Sequence, residues 1–302
     1  MNLRKNFLIG AFLGLILLLA AIVSLPDGRL HLVFCDVGQG DAAYIKMPDN
    51  QDVLIDGGPD NKVLSCLGRH MPFYDRTIDV VILTHPQEDH LKGLVSVLER
   101  YNVKYFVSSP VGNQTEGYQK LKKIVEERGV LVKNIYAGQE VDFSQVKMLA
   151  LWPEKDWLAA RIEPGEANTS SSVLGAKTSQ TDLNDFSLVF NLEYGSFQGL
   201  LMGDAGQKTQ EEILRLPFLA AISQATILKV PHHGSKTSLL PEFLEKIKPK
   251  LAIISVGKNS YGHPSPQTLE KLNHFVSQIL QTDQKGDIEV VSDGQALPLV
   301  KF

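Results

Sequence analysis

The chain has 302 residues, of which 43% are hydrophobic and 21% are charged, and this is ordinary composition for a globular protein with a sizeable core. The net charge of −4 excludes a strongly basic nucleic-acid-binding protein, although a local basic groove stays possible. Only Cys35 and Cys66 occur, so we expect neither a disulfide framework nor a thiolate metal cluster, and we expect Cys35 to be a small core residue.

The first residues differ from the rest of the chain. Residues 7–25 form an uncharged run of 19 residues, which as a helix would nearly span the hydrocarbon layer of a bilayer. Arg4 and Lys5 precede this run, and the positive-inside rule would keep them in the cytoplasm and the rest of the chain outside. We predict a membrane anchor or signal segment over residues 1–27. A cleaved signal peptide is the alternative, but no clear cleavage pattern precedes Pro26.

Short apolar runs open the domain that we predict over residues 28–302. They are separated by turn residues and predict a β-meander, with strands at 30–35, 42–46 and 53–55.

The turns after these strands are rich in glycine and aspartate. Glycine at 36–41 and at 56–59 permits either a tight hairpin or the close approach of another group, and both explanations stay open. Hairpin geometry alone explains less well why Asp36, Asp41 and Asp56 all stand at strand ends.

One strand-to-helix turn carries the densest set of possible metal ligands. An apolar run at 78–83 predicts a buried strand, and 91–101 predicts an amphipathic helix. His85, Asp89 and His90 lie between them, where a rigid scaffold can direct them to one point. Imidazole and carboxylate are ligands that divalent ions prefer. A polar loop with solvated charges is the alternative.

Strands and helices then alternate. The patterns predict strands at 103–108, 130–136, 146–152, 187–194, 197–202, 225–230, 251–256, 288–292 and 297–301, and helices at 63–70, 117–128, 210–216, 241–247 and 266–280. The polar segment 153–182 is an insertion or a flexible loop. Because meanders followed by alternating strands and helices occur twice, we predict an α/β fold: a four-layer αββα sandwich of two mixed sheets, preceded by one N-terminal hydrophobic helix.

Further candidate ligands follow later strands in the same way. These are Asp204, His232 or His233, and His263. A single such residue is more often a surface residue, but their joint occurrence predicts a site for one or two divalent ions, Zn²⁺ or Mn²⁺ being well suited to histidine and aspartate. Asp56 could orient a ligand histidine through a hydrogen bond.

The motifs carry a family resemblance. Residues 85–90, His-Pro-Gln-Glu-Asp-His, resemble the His-x-His-x-Asp-His signature of the metallo-β-lactamase superfamily, and Asp204 is similar to its bridging aspartate. More narrowly, four segments resemble the extracellular hydrolase domain of the ComEC competence channels: 36–42, 54–58, 231–235 and 262–264. The resemblance covers residues 30–300.

This resemblance implies an αββα fold and metal-assisted hydrolysis. In the ComEC family this domain is associated with degradation of the DNA strand that is not transported. We therefore expect a stand-alone form of the domain, tethered by residues 7–25 outside the cytoplasmic membrane, or secreted if the leader is cleaved. The expected activity is that of a phosphodiesterase or nuclease, with single-stranded DNA or another phosphodiester as the partner.

The resemblance also assigns ligands, with two departures. Asp89, His90, Asp204 and His263 would hold one ion, whereas His85 and Asp204 would hold the other with help from His232 or His233. Gln87 replaces the second histidine of the signature, and the histidine that precedes the bridging aspartate is replaced near Asn184. A second ion would therefore bind loosely or only with substrate.

The predicted catalytic residues are Asp89, His232 and His233. One or two ions would activate a water molecule, and His232 or His233 would protonate the leaving group. Ser235 and Lys236 could hold a phosphate, although a solvated loop explains them equally well.

Two other functions stay open. The first is another envelope hydrolase on the same fold, acting on a phosphoester, thioester or lactone. The second is a non-catalytic binding module with a degraded metal site, which the two departures would explain.

Overall fold

The computed structural model describes residues 6–12, 14, 26–163, 174–178, 182–222, 224–295 and 298–302. Its strands, numbered along the chain, are β1 Leu30–Phe34, β2 Ala43–Lys46, β3 Asp52–Ile55, β4 Thr77–Leu83, β5 Asn102–Ser108, β6 Leu131–Asn134, β7 Glu140–Phe143, β8 Val146–Trp152, β9 Val189–Tyr194, β10 Phe197–Leu201, β11 Ile227–Lys229, β12 Leu251–Ile254, β13 Gln278–Gln281, β14 Ile288–Ser292 and β15 Leu299–Lys301.

The helices lie between these strands. After the helical residues 6–12 and 14, they are α1 Lys62–His70, α2 Glu88–Arg100, α3 Glu116–Glu127, α4 Lys155–Ala159, α5 Gln207–Ile213, α6 Pro241–Ile247, α7 Pro266–Phe275 and α8 Thr282–Lys285. Short 3₁₀ turns occur at Leu183–Phe186, Pro217–Ala221 and Pro231–Gly234.

The strands form two mixed sheets. The first has the order β15-β14-β1-β2-β3-β4-β5-β6, and the second has the order β13-β12-β11-β10-β9-β8-β7. Neighbours from β3 to β6 are parallel, as are neighbours from β10 to β13. Each sheet therefore combines an antiparallel part with a parallel part whose strands end at one common edge.

The alternation of side chains along β1 shows how the layers form. Leu30, Leu32 and Phe34 point into a core that both sheets share, whereas Val33 and Cys35 point to the helices α1 to α3. A third core lies between the second sheet and α5 to α7. The three apolar cores are stacked one above another, and each separates two layers, so the structure has four layers. The predicted αββα sandwich is therefore confirmed.

The predicted helix 266–280 is wrong beyond its first ten residues. Helix α7 ends at Phe275, because Val276 is extended, with φ −124° and ψ 135°. The following residues form β13, which pairs parallel to β12 at the edge of the second sheet. The short edge strand β7 was also not predicted. Both errors concern strands of four residues. In so short a segment the apolar alternation is too brief to distinguish a strand from the end of a neighbouring helix or loop.

The expectation that the cysteines form no disulfide is wrong. Cys35 and Cys66 are joined by a disulfide between the end of β1 and helix α1, with 5.8 Å between their Cα atoms. Both residues are fully buried in the core between the first sheet and its helices, so Cys35 is indeed a core residue but is not a free thiol.

Two predicted segments lie largely outside the described residues. Of the predicted hydrophobic helix 7–25, only residues 7–12 and 14 are described, and they are helical. Among the described residues, none of the helices has both the length and the apolar character to cross a bilayer. In the polar segment 153–182, the described part contains the short helix α4, while residues 164–173 and 179–181 lie outside the described residues.

Candidate metal centre

The parallel parts of the two sheets bring the predicted ligands together. Asp56 follows β3 and His85 follows β4, at one edge of the first sheet. Asp204 follows β10 and His233 follows β11, at the corresponding edge of the second sheet. The backbone N–H of Leu188 donates to the Thr84 carbonyl at 2.9 Å and joins the two edges. Side chains from both sheets therefore meet in one cleft, as is usual at the carboxyl ends of parallel strands.

Asp204 lies at the centre of this meeting point and is fully buried. Its Oδ1 is 3.3 Å from His90 Nε2, and its Oδ2 is 3.8 Å from His233 Nε2. His85, His90 and Asp204 each offer a ligand atom within 4.8 Å of the others. Asp89, His90 and His233 do the same, and Asp89 Oδ2 is 3.3 Å from His233 Nε2.

Hydrogen bonds fix how each histidine faces Asp204. The Nδ1 of His90 donates to Asp56 Oδ2 at 2.8 Å, and the Nδ1 of His233 donates to the Ser255 carbonyl at 2.9 Å. A carboxylate and a carbonyl can only accept, so each Nδ1 carries a proton, and the neutral form of each ring has its lone pair on Nε2, where a metal ion can bind. The predicted role of Asp56 therefore agrees with its contacts.

The orientation of His85 is also fixed by a hydrogen bond at its Nδ1. Thr84 Oγ1 donates to Asp56 Oδ2 at 2.8 Å, so it accepts from the Nδ1 of His85 at 3.1 Å. The Nε2 of His85 is again directed into the cleft.

The polar atoms left over in the cleft are those a metal ion would bind. Among the buried atoms without a hydrogen-bond partner in the described part of the chain are four nitrogen and carboxylate oxygen atoms at this cleft, namely His85 Nε2, His90 Nε2, Asp204 Oδ2 and Asp41 Oδ1. Buried polar atoms are nearly always paired, so a cluster of exceptions requires an explanation. Imidazole nitrogens and carboxylate oxygens suit Zn²⁺ or Mn²⁺, and the residues present therefore fit a divalent ion.

The pKa shifts describe a strongly anionic cleft. Burial and the neighbouring His90 lower the pKa of His85 to about 3, so His85 is a neutral ligand. Burial alone would raise the pKa of Asp204, but His90 and His233 lower it well below its usual range. Burial alone would lower the pKa of His233, but Asp204 and Asp41 raise it to about 10. The carboxylates thus attract positive charge into the cleft.

Asp41 and Lys229 form a buried ion pair beneath the cleft that was not predicted. Lys229 Nζ contacts Asp41 Oδ2 and donates to the Gly203 carbonyl at 3.1 Å. Asp41 Oδ1 is 3.5 Å from the Nδ1 of His233. Burial alone would raise the pKa of Asp41, but Lys229 and His233 lower it to about 2. The available signal was a lysine within the otherwise apolar run 225–230.

His263 and His232 lie beside the cluster. In the part of the chain that the structure describes, His263 joins none of the groups of ligand atoms within 4.8 Å, whereas His233 joins one with Asp89 and His90 and another with Asp41 and Asp204. The ring of His263 is 5.6 Å from the ring of His232.

His232 and His233 share an unusual backbone. Their φ angles are 50° and 51°, in the left-handed region that residues other than glycine rarely adopt. Such conformations concentrate at functional sites, and here the turn directs His233 to the cluster and His232 to the open pocket.

Both departures from the superfamily signature are visible. Gln87 precedes helix α2 and lines the pocket next to His85. Asn184 lies in the 3₁₀ turn at 183–186, where its carbonyl accepts from the Ser187 N–H at 3.0 Å.

Helix α2 begins three residues earlier than predicted. It starts at Glu88, so Asp89 and His90 lie in its first turn and not in a loop. Two glycines, Gly57 in the turn after β3 and Gly93 in the helix, allow the helix to pack closely against that turn. A Cβ at Gly57 would lie 2.5 Å from Leu94 N, and a Cβ at Gly93 would collide with the Gly57 carbonyl oxygen. The glycine-rich turn therefore positions the backbone that carries the ligands.

An open pocket of about 590 Å³ lies above the cluster. Its walls include Asp89, His232, His233, Lys258 and Tyr261. Ser235 is buried beside it, and its Oγ lacks a hydrogen-bond partner among the described side chains, whereas Lys236 is exposed. A pocket of this size can hold one nucleotide or another small organic substrate next to the cluster.

Comparison with known proteins agrees with this geometry. The profile of the Metallo-beta-lactamase superfamily matches residues 35–258. The chain is 30% identical to ComE operon protein 3 of Bacillus subtilis over 283 residues, which is 87% of this chain and 33% of that protein. It is 24% identical to Competence protein ComA of Neisseria gonorrhoeae over 284 residues, 91% of this chain and 35% of that protein. The chain thus spans about a third of the length of these relatives.

A solved structure has the same fold. The metallo-beta-lactamase fold protein YhfI from Bacillus subtilis superposes with a TM-score of 0.54 at 12% identity, covering 86% of this chain and 99% of that one. The resemblance to ComEC-like proteins that the motifs predict is confirmed by the relatives named above.

Proposed function

The chain belongs to the metallo-β-lactamase superfamily, and on that premise we propose that it is a metal-dependent phosphodiesterase that cleaves DNA. One observation carries the proposal. His85 and His90 present their Nε2 atoms to the buried Asp204 in a cleft that opens into a pocket. This arrangement suits metal-assisted hydrolysis, and it explains the unpaired polar atoms that a binding module would not need.

The relatives support DNA as the substrate class. A curated relative is named as a competence protein, and competence concerns the uptake of DNA. The pocket adds chemical support, because Lys258 in its wall can attract a phosphate. The overall charge of −4 gives no long-range attraction to a polyanion, so bound cations and a few local contacts must supply the affinity.

Residues of the chain divide the work of hydrolysis. Asp204, His85, His90, Asp89 and His233 would hold one or two divalent ions, which when bound activate water and neutralise the charge of a phosphate. The remaining proposed roles belong to the protein itself.

His232 is placed to act as the general acid. It lies on the pocket wall outside the ligand groups, and an imidazole can donate a proton to a leaving oxygen near neutral pH. Burial and the neighbouring His232 and His233 lower the pKa of His263, so His263 enters the pocket as a neutral imidazole that can accept a hydrogen bond.

We further propose that the hydrolase domain functions outside the cytoplasmic membrane. The Cys35–Cys66 disulfide supports this location, since disulfides persist in oxidising compartments. The uncharged run 7–25, preceded by Arg4 and Lys5, supports the same orientation. Alkaline phosphatase fused after Phe302 is active only after export, so we expect an active fusion. An inactive fusion, with a fluorescent cytoplasmic reporter at the same position, would contradict this location.

An activity screen tests the proposed reaction. We expect the purified chain to cleave single-stranded DNA and bis(4-nitrophenyl) phosphate when Mn²⁺ or Zn²⁺ is added. Asp204→Ala should lower the rate at least about a hundredfold, because it removes the buried carboxylate that faces both His90 and His233. Asp142→Ala, at an exposed aspartate of β7, is the matched control and should retain activity.

The screen also distinguishes the alternatives. Cleavage of a thioester or lactone without cleavage of any phosphodiester would replace the substrate class but keep the hydrolase. A folded, metal-loaded chain that is inert on all these substrates, and indistinguishable from Asp204→Ala, would favour a non-catalytic module.

A further inference from the structure

One wall of the pocket includes an aromatic residue that is not part of the hydrophobic core. Tyr261 lies in the loop between β12 and α7, and 74% of its surface is exposed. It lines the same pocket as Asp89 and His232. A single exposed aromatic residue is common on protein surfaces, so its meaning depends on how firmly the loop holds it.

The loop is ordered around the side chain of Asn259. Its Nδ2 donates to the carbonyls of Gly257 and His263, both at 2.8 Å. Its Oδ1 accepts from the backbone N–H of Tyr261 at 3.1 Å and from that of His263 at 3.0 Å. One side chain thus binds the backbone at three positions, and the loop presents Tyr261 in a defined place despite its exposure.

The base of the loop is anchored as well. The N–H of Gly257 donates to Gln39 Oε1 at 3.3 Å. A Cβ at Gly257 would lie 2.5 Å from the Cα of Gly38, so the two backbones are in direct contact. The loop is therefore fixed to the turn at residues 36–41, where the Asp41 N–H donates to the Asp89 carbonyl at 3.2 Å.

Aromatic rings connect Tyr261 to the cluster. Its ring is 5.7 Å from that of His263 at an angle of 32°, and the ring of His263 is 5.6 Å from that of His232. His232 in turn is 6.2 Å from His233. A planar group that stacks on Tyr261 would therefore lie in the pocket that Asp89 and His232 also line.

We propose that Tyr261 is a stacking platform for a nucleobase of single-stranded nucleic acid, next to the phosphodiester that is cleaved. The inference rests on the proposed function and adds a substrate requirement to it. Every base offers a flat face that stacks on an aromatic ring, whatever the sequence. In a duplex both faces of an internal base are covered by its neighbours, so only an unpaired or terminal base can reach Tyr261.

Lys258 completes the subsite. It is exposed, lies three residues before Tyr261, and lines the pocket with it. Each internal nucleotide of a strand has one phosphate on its 5′ side and one on its 3′ side. When its base stacks on Tyr261, one of these phosphates can reach the metal ligands and the other can reach Lys258. The subsite therefore matches a nucleotide chain better than an isolated phosphoester.

Binding of two oligonucleotides tests the platform. The full chain, loaded with Mn²⁺, is titrated with labelled oligothymidylate and with an abasic strand of equal length, both carrying phosphorothioate linkages that slow cleavage. The phosphates contribute equally to both, so the ratio of the two affinities reports the bases. We expect the wild-type chain to prefer the strand with bases, and Tyr261→Ala to lower this preference about tenfold or more.

Matched variants make the result specific. Tyr261→Phe keeps the ring and should keep the preference, and Tyr105→Ala removes a partly exposed tyrosine of β5 that lies away from the pocket. The same preference in Tyr261→Ala and wild type would overturn the platform.

Hydrolysis of bis(4-nitrophenyl) phosphate by the wild-type chain separates this inference from the proposed function. If the wild-type chain hydrolyses it and the base preference does not depend on Tyr261, the phosphodiesterase stands and the platform fails. If the wild-type chain hydrolyses no phosphodiester, the proposed reaction fails, and the binding ratio still decides whether Tyr261 holds a base.

Discussion

Three histidines in the cleft are each held at Nδ1, and this leaves Nε2 for a ligand. Asp56, Thr84 and Ser255 supply the partners, and each follows a different strand. The sequence identified the histidines because they stand after apolar runs. It could not identify Thr84 or Ser255, because a hydroxyl or a carbonyl gains its role only from the orientation of its neighbour.

Asp56→Ala tests the orientation of His90. The substitution removes the carboxylate that fixes the Nδ1 proton, so we expect metal affinity to fall about tenfold to a hundredfold. Competition with a chromophoric chelator measures the affinity. Asp49→Ala, at an exposed aspartate in the preceding turn, should bind metal like wild type. Equal affinity in Asp56→Ala and wild type would show that this hydrogen bond does not position the ligand.

Gln87→His tests the departure from the signature. The histidine would stand next to His85 at the start of α2, and imidazole is a much better ligand than an amide oxygen. We expect a second ion to be retained after dialysis in the variant but not in wild type, as measured by elemental analysis. Gln87→Leu should retain no more metal than wild type. An unchanged metal content in Gln87→His would show that this position does not face the site.

At the scale of single elements, the start of α2 decides where Asp89 and His90 lie. The sequence predicted a helix from residue 91, because the apolar periodicity begins there. The structure starts it three residues earlier, at Glu88, and in this added segment the His90 carbonyl accepts from the Gly57 N–H at 2.6 Å. Apolar periodicity misses these residues because they contact a turn that is distant in sequence.

Gly93→Ala tests this close approach. The new methyl group would collide with the Gly57 carbonyl and lie 2.5 Å from the Asp60 carbonyl oxygen, so helix α2 must shift away. We expect a lower free energy of unfolding together with weaker metal binding.

Gly68→Ala provides the control in helix α1. A Cβ there meets nothing within 4 Å, so alanine should stabilise that helix by up to about 1 kcal/mol and leave metal binding intact. Urea denaturation measures both variants. A Gly93→Ala variant with wild-type stability and metal affinity would contradict the positioning role of the turn.

At the scale of the whole molecule, the two mixed sheets pack face to face, and the carboxyl ends of their parallel strands lie next to each other at the cleft. The repeated order of meander, strand and helix was sufficient to predict the two mixed sheets. The pairing of His233 with Asp89 was not predictable, because these residues are far apart in sequence and only the packing of one sheet on the other brings them together. The disulfide escaped prediction because only the packing of helix α1 on the first sheet brings Cys35 and Cys66 together.

Reduction tests the contribution of the disulfide to the whole fold. The Cys35–Cys66 link closes a loop with a sequence separation of 31 residues, so its loss should lower the free energy of unfolding by about 3–4 kcal/mol. Urea denaturation with and without a reductant measures this difference, and the double variant Cys35→Ser, Cys66→Ser should not respond to the reductant. Equal stability of the wild-type chain in both conditions would contradict the link.

The central claim is that both sheets supply ligands to one buried metal centre. Elemental analysis of the wild-type chain and of Asp204→Ala, loaded with Mn²⁺ or Zn²⁺ and then dialysed, tests it most directly. Because Asp204 faces both His90 and His233 at the centre of the cluster, the account predicts on the order of one tightly held ion per wild-type chain and almost none in a folded Asp204→Ala chain. A folded wild-type chain that retains no more metal than Asp204→Ala would contradict it.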